Sequence, residues 1–305
     1  MTLLARVSPQ GDARSTHLAG IALMLFGVFM FSFGDALGKY IVATYSVGQL
    51  LSLRACAAMF VLSPLIWRNR AQFVALERPR LQLIRVALST LEVAAFFLAT
   101  VYLPLADVTT YYLACPIFVT ALSAIVLREH VGWRRWCAIL TGFAGVVIAL
   151  RPSTQSFSWP AMIALSGSLC FSVLLLITRT LRATPDIVLA TSQFIGTLLL
   201  GAVMAPFGWV TPTAASLAMF AAAGCISVTA LLCVNRSLKL APARVVVPYQ
   251  YSMIIWAVMF GIVAFGDVPQ PATIAGAAII IAAGLYIFLR EKRLGHEEAA
   301  VNPPA

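Results

Sequence analysis

The chain is a succession of long apolar runs broken only by short turns. A helix that spans a bilayer needs roughly 20 predominantly apolar residues. Runs of that kind fall at about 18–40, 47–67, 82–103, 105–127, 133–150, 159–180, 187–206, 214–234, 243–265 and 271–289. Stretches such as Arg68-Asn69-Arg70, Arg151-Pro152 and Pro206-Phe207-Gly208 punctuate them. Only 10% of the 305 residues are charged and 61% are hydrophobic, against roughly 25% charge in an ordinary soluble domain. A water-soluble core cannot absorb that much apolar sequence. The expected fold is an all-α integral membrane protein of ten transmembrane helices, embedded in the lipid bilayer and without a soluble domain.

The basic residues set the expected orientation. With the N-terminus cytoplasmic, 18 of the 21 Lys and Arg fall on the cytoplasmic side. Lys39 and Arg151 fall on the other side, and Arg54 falls within a span. The net charge of +10 then reflects membrane topology, and no nucleic-acid partner is expected. Both termini are expected in the cytoplasm of a multi-pass protein of the bacterial inner membrane. Trp67, Trp133, Trp136, Trp159 and Trp209 fall at span ends, as an interfacial belt requires, and Trp256 is placed deep. The first run is too long for a signal-peptide core and is expected to be a retained helix. The six cysteines lie in apolar runs without a CxxC pair and are expected to be small core residues. The tail from Arg290 is expected to be disordered.

The run Leu103–Pro152 returns near the C-terminus. LKLA at Leu238 echoes LPLA at Leu103, and Asp267 stands where Glu129 stood in the turn Arg128-Glu129-His130. Phe31-Ser32 echoes Phe171-Ser172, and Lys39 echoes Arg179. The expected organisation is therefore two five-helix units, 1–152 and 153–305. Five spans per unit turn the second copy upside down, the inverted repeat used by alternating-access transporters.

These residues resemble the drug/metabolite transporter superfamily, EamA type. The resemblance rests on Lys39 in GDALGKY, Arg54 in LLSLRAC, the run LPLADVTTYYLACPIF, Glu129 in LREHVG, and Gly142 and Gly145 in the fifth span. The run PYQYSMIIWAVMFG looks closest to the YddG-like amino-acid exporters, which are linked to aromatic amino acids. The resemblance implies a ten-helix inverted fold, a central cavity formed mainly by spans 1, 3, 4, 6, 8 and 9, and export of amino acids or related metabolites. An importer, or a carrier of another metabolite such as a nucleotide-sugar-like solute, is the alternative. An intramembrane enzyme is less expected, because the acids are scattered and no P-loop, HExxH or GxSxG occurs.

Charges within the bilayer cost roughly 2.5–3.5 kcal/mol each on insertion scales, so those present are candidates. Asp35 and Arg54 fall at matching depths, and Asp35 and Lys39 are i,i+4 neighbours. Asp35, Lys39 and Arg54 are the expected charge pair or gate. Glu92 is central in span 3, shares a face with Phe96, and could exchange protons. The expected cavity lining is Ser32, Asp35, Glu92, Phe96, Tyr111, Tyr112, Ser168, Ser172, Tyr249, Gln250, Tyr251 and Trp256, each also readable as core packing. Pro116 and Pro248 would free backbone carbonyls nearby. No cofactor and no metal site are expected, and the oligomeric state is left open.

Overall fold

The computed structural model describes residues 9–73, 78–126, 133–150, 158–181, 184–240 and 246–301. Among them the helices are α1 (Pro9–Val42), α2 (Val47–Arg68), α3 (Pro79–Tyr102), α4 (Leu105–Tyr112), α5 (Cys115–Val126) and α6 (Trp133–Leu150). The second half adds α7 (Trp159–Thr180), α8 (Asp186–Met204), α9 (Ala214–Leu240), α10 (Met253–Phe265) and α11 (Pro271–Val301). Tight 3-10 turns occupy Arg70–Phe73 and Val247–Ser252.

Seven helical stretches are long and apolar enough to cross a membrane, and Leu105–Leu122, which joins α4 to α5, is one of them. The shorter apolar stretches Trp136–Ala149, Tyr249–Phe265 and Pro271–Ile287 lie where the other expected spans fall. The perimeter is apolar, with Phe60, Val263 and Leu199 turned outward, as a lipid-facing surface requires. The five expected belt tryptophans are all exposed, whereas Trp256 is not.

Local chemistry sets the boundaries. Ser46 caps α2 by accepting from the Gln49 amide, and Pro79 opens α3, where a missing N–H costs nothing. The fourth expected span breaks at Leu113–Ala114. Pro116 has no amide proton, so the Tyr112 carbonyl loses its helical donor. The chain bridges the gap with tighter bonds, Ala114 N–H to Tyr111 O and Ile117 N–H to Ala114 O. Pro248 lies in the corresponding 3-10 turn of the second half.

Two expectations need correction. The segment after Arg290 is not irregular throughout: α11 continues to Val301, since Arg, Glu, Lys and Ala are good helix formers. Nor are the cysteines all core residues. Cys115 is buried, but Cys56, Cys137 and Cys225 are exposed on outward helix faces, where the surroundings are apolar too.

The helices pair in a regular way. α1 packs along α9, and α3 along α7; α2 also meets α9, and α3 also meets α8. α1 contacts α10 as α7 contacts α4 and α5. Exchanging the first five expected spans for the second five turns each of these pairings into the other. The pairs α2–α8, α6–α11 and α4–α10 map onto themselves. In the α2–α8 seam, a side-chain carbon on Gly48 would meet the backbone of Met204 and Ala205, and one on Gly201 the backbone of Ser52. There the two helices touch main chain to main chain. Gly145 and Gly276 do the same between α6 and α11.

Candidate functional site

Asp35, Arg54 and Glu92, one on each of the first three helices, stand inside the bundle, and Arg85 is buried nearer one end of it. Arg54 on α2 is 7% exposed. Asp35 on α1 and Glu92 on α3 are surrounded by the helices yet keep intermediate accessibility. The three feel one another's charge. The expected Asp35–Arg54 contact does not form. Among the described residues the ion pair within 4 Å is Lys39–Asp267, and the Arg54 guanidinium instead lies over the Phe97 ring, 4.8 Å from its centroid.

Unpaired donors are a feature of this interior. Ser32 Oγ, Arg54 Nε, Thr109 Oγ1, Ser168 Oγ and Trp256 Nε1 are buried without a hydrogen-bond partner. Burying such groups dry is costly, so each is a point where water or a ligand can complete the bonding. Phe29, Ser32 and Asp35 are spaced by three on α1 and share a face. Phe29 meets Trp256 edge-on at 5.0 Å and Phe260 at 5.9 Å, which sets an aromatic wall beside the charges.

The remaining expected residues divide. The Tyr112 hydroxyl donates to the Glu92 carbonyl at 3.0 Å, and its ring meets Phe96 edge-on at 5.1 Å. Gly167 on α7 makes room for that hydroxyl. Phe96 and Tyr111 are buried in the core. Ser172 is not an available donor: its hydroxyl bonds the carbonyls of Ser168, at 2.7 Å, and Cys115, at 3.3 Å. Tyr251 packs with the α4–α5 junction and α11, its hydroxyl against Gly284. Tyr249 and Gln250 are exposed in a turn that follows Val246, itself packed beside Met24 on α1.

Lys39 does not serve Asp35 one turn away. Its ammonium reaches across the bundle to Asp267 at 2.6 Å, donates also to the Leu103 carbonyl at 3.2 Å, and lies 4.8 Å from the Phe265 ring centroid. Local structure prepares this meeting. α10 stops at Gly266, whose φ of 68° suits glycine, and the Asp267 amide bonds back to Gly261 O at 3.0 Å. α3 stops where Leu103 turns extended before Pro104, which leaves its carbonyl for Lys39. At the same end Thr273 Oγ1 donates to Asp107 Oδ1 at 2.7 Å. Gln49 there exchanges two bonds with the Val210 backbone, at 2.7 and 3.0 Å.

At the Arg85 end the bonds run differently. Arg85 donates to Thr178 and to Leu189 O, both at 3.1 Å, and Gln82 donates to Ser192 at 3.1 Å. These bonds stay within the α3–α7–α8 group, and the Ser237 bond to Gly20 O at 2.6 Å stays within the α1–α9 pair. The turn of Arg128, Glu129 and His130 and the Arg179 side chain lie outside the described residues. A separate groove runs between α6 and α11, lined by Trp133, Arg134, Cys137 and Tyr286 among others, and does not include Asp35, Arg54 or Glu92. No three His, Cys, Asp or Glu among the described residues come together as metal ligands.

Residues 18–151 match the EamA-like transporter family. That match covers less than half of the chain. The chain is 24% identical to the S-adenosylmethionine uptake transporter of Rickettsia felis, over 92% of its own length and 96% of that protein's. It is 29% identical to the riboflavin transporter of Rhizobium johnstonii, over 70% and 72% of the two chains. It is 26% identical to the pseudopaline exporter of Pseudomonas aeruginosa, over 90% and 97%. A solved crystal structure shares its fold with a TM-score of 0.59 at 16% identity, covering 92% of this chain and 99% of that one. The matched family and these relatives are named as transporters, and seven helical stretches among the described residues are long and apolar enough to cross a membrane. The relatives' names do not single out the aromatic amino-acid exporters.

Phe29, Phe97 and Phe260 escaped the sequence reading, as did Asp267 as the partner of Lys39. The spacing of Phe29, Ser32 and Asp35 was the available signal for the first. Nothing local in the sequence joins positions 39 and 267.

Proposed function

We propose that the chain is a secondary transporter that exports small metabolites, amino acids including aromatic ones among them, by alternating access between inverted repeats 1–152 and 153–305. The observation that carries this reading is the set of charged residues Asp35, Arg54 and Glu92 inside the bundle, together with a difference between its two ends among the described residues. At the Lys39 end some bonds cross between helix groups, beside the Tyr45–Ser216 bond within the α1–α9 pair. At the Arg85 end those among the described residues stay within groups. The exchange symmetry of the helix pairings supports the repeat. With both termini cytoplasmic, the Lys39 end faces outward and the protein rests open to the cytoplasm, the state in which an exporter loads. Glu92, Ser32, Ser168, Tyr112 and Trp256 line the route, and Lys39 with Asp267 forms the outer gate. Glu92 carries a proton in exchange for substrate.

Import is the second reading. Two of the relatives are named for uptake or for riboflavin and one for export, and alternating access runs in either direction. S-adenosylmethionine is itself an amino-acid derivative with a flat ring, so the two readings ask for similar sites. Counterflow in proteoliposomes separates them: preloaded amino acid is expected to drive exchange of labelled amino acid, and an imposed pH gradient to drive net movement. Failure to move any member of a broad amino-acid panel rejects the substrate assignment.

A further inference from the structure

Arg54 is a cation without a protein partner. No described residue accepts a hydrogen bond from its guanidinium, although the group is 93% buried (7% exposed) and could donate five. Contact with the Phe97 face favours a cation but satisfies no N–H. The carboxylates of Asp35 and Glu92 are likewise unbonded to any described residue. Both lie close enough to couple electrostatically with Arg54 and too far to bridge it. An ion triad kept for stability closes up, because desolvated charges repay their cost only through short, well-bonded contacts. This one does not close up: no two of the three form an ion pair within 4 Å.

We propose that Arg54 receives the carboxylate, and Asp35 with Glu92 the ammonium, of a zwitterionic substrate with an amino-acid head group. The assignment rests on the transport reading above and specifies how the cavity recognises its cargo. A planar guanidinium suits a carboxylate through two parallel bonds, and a pair of acids suits an ammonium with three donors. The head group fixed there directs the substituent along the α1 face from Asp35 past Ser32 toward Phe29 and Trp256. The unpartnered Trp256 Nε1 is one further donor for a polar ring. The carboxylate matches the charge of Arg54 and the ammonium that of one of the two acids, so removing either charge from the ligand leaves a buried charge unpaired.

The test uses the purified full-length protein in detergent and four probes: phenylalanine, phenylalaninamide, phenethylamine and 3-phenylpropionate. Phenylalanine is expected to bind and the other three to bind about 10- to 100-fold more weakly, the usual effect of one lost charge-assisted bond. In Arg54→Gln the preference for phenylalanine over phenethylamine is expected to vanish while the weak binding of phenethylamine persists. In Glu92→Gln the preference over 3-phenylpropionate is expected to fall. Equal binding of all four by the wild-type protein overturns the proposal without any variant. So does an Arg54→Gln protein that still discriminates. Transport of an uncharged or purely anionic solute in proteoliposomes, with no zwitterion moved, overturns the proposal and leaves the transporter reading standing. No movement of any solute removes both.

Discussion

The Lys39 ammonium lies 2.6 Å from the Asp267 carboxylate, although 228 positions separate them in the chain. The pair ties the end of α1 to the turn between α10 and α11, and Lys39 carries the link on to the end of α3. Breaking it is expected to favour opening at that end. The pair is partly exposed, so its contribution is about 1 kcal/mol or less, enough to change a two-state population by up to about fivefold. In a background without other cysteines, a Ser32→Cys reporter should react faster with a membrane-impermeant thiol reagent when Lys39→Ala or Asp267→Ala is added. The charge-swapped double variant should return the rate toward that of the parent. Unchanged labelling in both single variants removes the gate.

Thr273 offers a gentler probe of the same end. Thr273→Val keeps the shape and deletes the donor to Asp107. The reporter is expected to react faster again, by less than for Lys39→Ala, because Asp107 makes another interaction as well. A larger effect than that of Lys39→Ala would make Thr273 the main fastening.

Gly167 faces the Tyr112 hydroxyl so closely that a methyl group cannot fit beside it, and Ala95 Cβ stands only 3.0 Å away. Gly167→Ala should therefore destabilise by about 1–3 kcal/mol, the usual penalty of overpacking, despite better helix propensity. Combining it with Tyr112→Phe removes the clashing oxygen and should recover part of the thermal stability. No recovery would locate the strain elsewhere.

Glu92→Gln keeps the size of the side chain and removes its proton exchange. Transport in proteoliposomes by this variant is expected to lose its response to an imposed pH gradient while exchange without a gradient continues. A response equal to that of the wild type would assign the coupling to another group, with Asp35 next to be tested.

Apolar runs located most helices because length and hydrophobicity suffice for that. The break at Leu113–Ala114 was foreshadowed by Pro116, which frees the Tyr112 carbonyl whatever the fold. Asp35, Arg54 and Glu92 stood out because charge in an apolar run is costly. Their mutual spacing did not, since three helices decide it, and the i,i+4 relation of Asp35 to Lys39 pointed to the wrong partner. Ser172 looked like a lining hydroxyl, yet it is taken by the Ser168 carbonyl one turn back, with the Cys115 carbonyl as a second acceptor. Tyr251 was expected beside the cavity, but Gly284 leaves a hollow on α11 that its hydroxyl fills.

The α2–α8 seam, where Gly48 and Gly201 bring main chain against main chain, maps onto itself when the two halves are exchanged. Where main chain meets main chain at these two glycines there are few rotamers to unlock, so that part of the seam can roll or tilt at little cost, as a bearing does. Whatever cargo the protein carries, bulk added at that junction should alter the turnover frequency and leave equilibrium affinity largely intact.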